Sequence, residues 1–81
     1  MEKITHTKAD CLTAFQAARR YKIDKEKIER VMKKLYMNNI KVPGKPHKPV
    51  VHREGKSYRT AGESVAHKLI LEEYNNMFPS R

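Results

Sequence analysis

The sequence predicts a small, mainly helical α+β domain: two short helices joined by a tight turn, a β-hairpin, and a closing helix. Three observations carry this. Two capping signals each stand directly before a run of apolar residues at helical spacing. A glycine-centred pair of short extended runs lies between the second and third helical patterns. Three of the four prolines crowd into one stretch between them.

At 81 residues there is room for one domain with one modest core, expected to span 1–81. The first segment, 1–11, is weakly patterned and reads as a short strand or a lead-in. Thr13-Ala14-Phe15-Gln16 fits a capping box, in which Thr13 accepts from the Gln16 backbone and Gln16 reaches back. The helix it starts should run from Ala14 to about Tyr21, with Phe15, Ala18 and Tyr21 on one face. Lys22-Ile23-Asp24 then reads as a tight turn, with Asp24 as N-cap of a helix from Lys25 to about Tyr36. Ile28, Val31, Met32 and Leu35 form its apolar stripe, and Lys25, Glu26, Glu29, Arg30 and Lys33 lie opposite. Asn38-Asn39 should end it. These two helices and their turn make up 12–36.

Residues 37–49 read as a stiff basic connector, extended towards polyproline II by Pro43, Pro46 and Pro49. In 50–60 two short runs, around Val50–His52 and Lys56–Arg59, flank Arg53-Glu54-Gly55, with Gly55 free to take the positive φ of a hairpin loop. Thr60-Ala61-Gly62-Glu63 repeats the capping-box pattern, so a helix should run from Ala61 to about Met77, with 61–78 as the last segment. Val65, Ala66, Leu69, Ile70 and Met77 form its apolar side, with Tyr74 at the edge.

The net charge is +9, and its distribution is more informative than its size. Residues 16–35 and 41–60 each carry +5, residues 61–81 carry −1, and the first fifteen are neutral. Such a division suits a binding surface built from two central elements and a polyanionic partner. There is no tryptophan and little aromatic material from which to build a deep, water-excluded pocket, so an enzyme is not expected. The lone Cys11 excludes an internal disulfide, and no signal-peptide pattern or long apolar run occurs. A cytoplasmic protein without a membrane partner is expected.

Two helices with a small residue at their crossing and a buried apolar turn meet the packing demands of a helix-turn-helix, in which the second helix presents its outer face to the DNA major groove. Ala18 is the small residue, Ile23 buries the turn, and Ile28 and Val31 supply the inner face. "LTAFQAARRYKIDKEKIERVMKKL" followed by "KPVVHREGKSYRTAGESVAHKLI" resembles the winged helix-turn-helix of the excisionase and MerR-like kind, over about Leu12 to Ile70. In that family a two-helix reader is followed by a hairpin wing, often with a Gly-Lys-x-Tyr-Arg run, and a further helix. One departure is Lys22, where many such turns carry glycine, so the turn is expected to differ or to be strained.

The resemblance implies a double-stranded DNA-binding protein with no cofactor and no metal: an excisionase-like architectural factor, or a transcriptional regulator of a phage or mobile element. The matching base-reading positions are Lys25, Glu26, Glu29, Arg30 and Lys33. Arg30 can pair with guanine O6 and N7, and Glu26 or Glu29 can accept from cytosine N4. Arg19, Arg20, Lys22 and Lys34 would hold phosphates, and His52, Arg53, Lys56 and Arg59 would form the wing contact. A recombinase or a second copy would dock on the closing helix, Ala61 to Met77. Two other classes stay open: a small basic inhibitor of a host polymerase, nuclease or CRISPR component, and an RNA binder, although no aromatic RNP-like run is present.

Other signals are weaker. The solvated alternative for the second helix predicts intrahelical pairs Glu26–Arg30 and Glu29–Lys33. Cys11, His6, His47, His52 and His67 match no common zinc spacing and read as surface or hydrogen-bonded side chains. Tyr36 and Tyr58 read as core or rim residues, and Met32 and Met37 as packing.

Overall fold

The computed structural model describes residues 10–79, and it is a small α+β domain. Two helices come first, α1 (Ala14–Tyr21) and α2 (Lys25–Met37). Two hairpins follow, β1 (Lys41–Val42) with β2 (Lys45–Pro49) and β3 (Val51–Glu54) with β4 (Ser57–Thr60). Helix α3 (Ser64–Met77) closes the chain. None of the described helices is long and apolar enough to cross a membrane. Residues 1–9, most of the expected lead-in and including His6, lie outside the described residues.

Both expected N-caps of the first two helices are made. The Thr13 hydroxyl accepts from the Gln16 N–H at 3.2 Å, and the Gln16 side chain accepts from the Thr13 N–H at 3.0 Å. Asp24 Oδ1 accepts from the N–H groups of Glu26 and Lys27 at 2.8 and 3.2 Å. Each such cap supplies about 1 kcal/mol, which matters for an α1 of only eight residues.

The two helices also end alike. Lys22 and Asn39 both adopt φ 56°, and the isoleucine after each donates back across the helix end: Ile23 to the Ala18 carbonyl at 3.0 Å and Ile40 to the Leu35 carbonyl at 3.2 Å. This is the Schellman closure, with a left-handed residue followed by an apolar one that folds back over the last turn. Lys22 thus takes the glycine conformation itself (φ 56°, ψ 51°), and Ile23 packs against the core as expected.

Helix α2 is the hub of the molecule and packs against α1, α3, β3 and β4. Its stripe is fully interior: Ile28, Val31 and Met32 are 0 % exposed, and Leu35 is also buried. Burying each such side chain contributes about 1.5–3 kcal/mol. Ala14, Ala17 and Ala18 are the buried residues of α1, which packs on α2, and their small size lets the two backbones approach. The face expected for α1 is therefore rotated. Phe15 is exposed, with the Arg19 guanidinium 5.7 Å above its ring. Met37, expected to pack, is exposed as well.

Three further expectations are corrected. The connector 37–49 contains an antiparallel hairpin of its own, β1–β2, rather than a polyproline stretch. Gly44, at φ 81°, turns the chain, and Lys41 pairs with Pro49 and Val42 with Lys45. The sheet has two strands, so Pro46 and Pro49 face at most one neighbour, a setting that tolerates proline. In the second hairpin the register Glu54↔Ser57 makes Gly55-Lys56 the loop, further along the chain than expected. Gly55 at φ 63° occupies the first loop position, where a two-residue hairpin turn demands a positive φ. Finally, α3 starts at Ser64, not Ala61, and Thr60 is no cap. Thr60 ends β4, and its hydroxyl accepts from the Leu12 N–H at 3.0 Å, serving tertiary structure instead.

The chain just before α1 runs beside β4. Thr13 bridges to Arg59, and the Thr60 N–H donates to the Leu12 carbonyl at 2.8 Å. This seats the second hairpin against the start of α1, while α2 packs against both its strands.

Candidate nucleic-acid interface

Because Ile28, Val31, Met32 and Leu35 are turned inward, helical geometry puts Lys25, Glu26, Glu29, Arg30 and Lys33 on the outer face of α2, and all five are exposed. The expected pairs Glu26–Arg30 and Glu29–Lys33 are not formed. Instead Lys25 lies 3.8 Å from Glu29. Among the described residues Glu26, Arg30 and Lys33 make no ion pair. Glu26 sits in the first turn of α2, where the helix dipole favours a carboxylate.

This face does not stand alone. Glu26, Glu29, Arg30 and Lys33 line an open groove of about 450 Å³ together with Tyr58 of β4. Tyr58 packs on Tyr36 of α2 with ring centroids 5.3 Å apart, and the Arg53 guanidinium lies 5.9 Å from its centroid. Arg53 and Tyr58 are directly opposed across the hairpin, so they share one face. The series Tyr36–Tyr58–Arg53 thus holds a cation of the hairpin beside the groove that Arg30 and Lys33 line. Tyr58 was not among the expected site residues. The signal that could have found it is the alternation along β3 and β4, which puts it opposite Arg53.

The other residues expected to form a wing divide. Lys56 is exposed at the tip and makes no ion pair among the described residues. His52 and Arg59 oppose each other on the hairpin's other face. Arg59 is engaged there, with Nε donating to the Glu54 carboxylate and Nη1 to the Cys11 carbonyl at 2.8 Å.

The expected phosphate holders also divide. Arg19, Arg20 and Lys22 cluster at the exposed C-terminal end of α1. Arg20 reaches Asp10 at 3.2 Å, an exposed pair of small energetic value. Lys34 points elsewhere: its Nζ meets the half-buried Glu73 carboxylate at 2.6 Å and ties α2 to α3.

Two polar clusters form whose partners sequence spacing does not bring together, although His67 is hydrogen-bonded, one of the two readings the sequence offers. Glu63, the buried N-cap residue of α3, receives Nζ of Lys45 and, at 3.1 Å, Nζ of Lys48. The Lys45 hydrogen bond, reinforced by Lys48 and both positive charges against the opposing effect of burial, lowers its pKa to about 2. Two of the basic residues of 41–60 are therefore committed to bracing the first hairpin against α3. The second cluster surrounds buried His67. Its Nδ1 accepts from the Tyr21 hydroxyl at 2.5 Å, and its Nε2–H donates to the Asp10 carbonyl at 2.9 Å, a tautomer that satisfies both neighbours. The Thr60 hydroxyl lies 3.1 Å from the same Nε2. His47 is exposed and His52 half-buried.

No family model matches the chain, and neither a curated protein nor a solved structure matches it.

Proposed function

We propose that the protein binds double-stranded DNA as a winged helix-turn-helix, with α2 as the major-groove reader and the β3–β4 hairpin as the wing. The observation that carries this is the groove shared by the outer face of α2 and Tyr58. It gathers Glu26, Arg30 and Lys33, which make no ion pair among the described residues, beside a hairpin whose Arg53 is held over the Tyr58 ring. A solvated helix needs no such neighbour; of the two outer carboxylates of α2, Glu29 pairs within the helix, with Lys25, and Glu26 makes no ion pair among the described residues. In this reading Arg30 takes guanine O6 and N7, and Glu26 accepts from cytosine N4 while repelling misplaced phosphate. Lys22, Arg19 and Lys56 hold the backbone, and Arg53 senses groove width. Lys34 and Arg59 are spent on the fold.

The role that fits a single small reader is an excisionase-like architectural factor or a regulator of a phage or mobile element. One copy makes few contacts, so specific action requires further copies or a partner protein.

Binding to a mixed-sequence duplex at low salt, followed by selection from a randomised site library, tests the reading. Arg30→Ala should flatten base preference at one position, by about 1–3 kcal/mol of discrimination. Lys56→Ala should weaken all duplexes alike and reduce the salt slope by about one. No binding at low salt would sink the proposal and turn attention to an acidic protein partner.

A further inference from the structure

Helix α3 carries three side chains that the fold does not use. Leu71 is half-buried but stands outside the set of residues packed on the core, unlike Val65, Leu69 and Ile70 on the same helix. Lys68 and Glu72, one helical turn apart, are exposed and make no ion pair among the described residues. This is unusual here, because most of the other described carboxylates are taken up by a cation or a cap. Asp10 meets Arg20, Glu29 meets Lys25, Glu54 meets Arg59, Glu63 meets two lysines, Glu73 meets Lys34, and Asp24 caps α2.

Leu71 also marks the centre of a trough. Two adjoining hollows of about 580 and 670 Å³ run along α3 where it faces α1 and the turn, and Leu71, Tyr21 and Asn75 line both. The charged side chains along the trough are balanced in sign: Arg20, Lys22 and Lys68 against Asp10, Asp24 and Glu72. In a chain of net charge +9, that balance marks a surface on which a second copy meets no net local positive charge.

We propose that this trough is the contact between two copies of the chain. An isologous contact requires a self-complementary surface, with residue i meeting j and j meeting i. Lys68 and Glu72 supply that. With two α3 helices antiparallel across a two-fold axis passing between these positions, Lys68 of each copy faces Glu72 of the other, and Leu71 lies close to the axis, covered by the other copy. The contact goes beyond the DNA reading and does not depend on it. It would supply the second copy that a weak single reader requires.

Sedimentation equilibrium of the full chain, without DNA, from micromolar to millimolar protein tests it. The wild type should show a monomer–dimer equilibrium. Lys68→Glu and Glu72→Lys should each weaken it by about tenfold or more, because like charges then meet across the axis. The double exchange K68E/E72K should restore it. Leu71→Ala should weaken it without any change of charge. Circular dichroism melts check that these substitutions leave folding intact. A wild type that stays monomeric to millimolar concentration overturns the proposal. So do single exchanges without effect, or a double exchange that does not restore association. Loss of DNA binding with intact dimers would count against the DNA reading alone.

Discussion

Replacing Lys22 by glycine should make the protein more stable, although it removes a side chain and adds freedom to the unfolded chain. Lys22 sits at φ 56°, ψ 51°, where a Cβ crowds the following carbonyl. That conformation costs a non-glycine residue about 1–2 kcal/mol. Glycine escapes that cost but gives back about 0.4–1 kcal/mol through its greater freedom when unfolded. No hydrogen bond or ion pair among the described residues is lost with the side chain. The closure of α1 uses the backbone N–H of Ile23 and the Ala18 carbonyl, and the exposed Lys22 side chain makes no ion pair among the described residues. The net gain falls between about 0 and 1.6 kcal/mol, centred on about 0.8, and at that centre it raises Tm by about 3–6 °C for a domain of this size. Calorimetry or a thermal melt reads it directly. Lys22→Val is the opposing control: a β-branched residue is disfavoured in this region and should cost at least about 1 kcal/mol. A glycine variant that melts below wild type, or a valine variant that melts with it, would refute the reasoning.

Two further outcomes follow from the core and from Glu63. Ile28→Ala, at a position with 0 % exposure on the hub helix, should cost about 2–5 kcal/mol in chemical denaturation, a large part of the stability of so small a domain. A loss under about 1 kcal/mol would mean the site collapses without a cavity. Glu63 has its pKa lowered from 4.5 to about 2. Its lysine contacts therefore stabilise the fold fully above about pH 4.5, and that contribution fades as pH falls towards 2. Glu63→Gln should melt below wild type at neutral pH, and the gap should narrow across that acid window. A gap independent of pH would show that the loss is one of packing rather than of charge.

Much of the fold was legible because its signals are short-range. Thr13 with Gln16, and Asp24 with the N–H groups of Glu26 and Lys27, act within one helical turn. The stripe of α2 repeats within eight residues, and Gly55 marks its own turn. A short signal with two competing uses misleads. Thr60 has the spacing of a cap, but its hydroxyl serves Leu12, 48 residues away, so α3 starts later. On α1, Phe15 and the alanines offer two faces, and close approach to α2 selects the alanines. The prolines of 43–49 argue against regular structure, yet Gly44 and a short edge strand let a hairpin form around them.

The candidate site divides the same way. That Lys25, Glu26, Glu29, Arg30 and Lys33 share an outer face follows from 3.6 residues per turn and an inward stripe, and needs no tertiary information. Which cations remain available does not. Lys34 meets Glu73, 39 residues away, and Lys45 and Lys48 meet Glu63 across 18 and 15 residues. Arg59 turns to the Cys11 carbonyl, 48 residues away, while Tyr58 brings Arg53 to the edge of the α2 groove. Local hydrogen bonds and periodicity act over a few residues, so composition and spacing encode them. Charge pairing acts through space, and only the packing of α2 against both hairpin strands and α3 decides which of the cations are spent on the fold and which face outward.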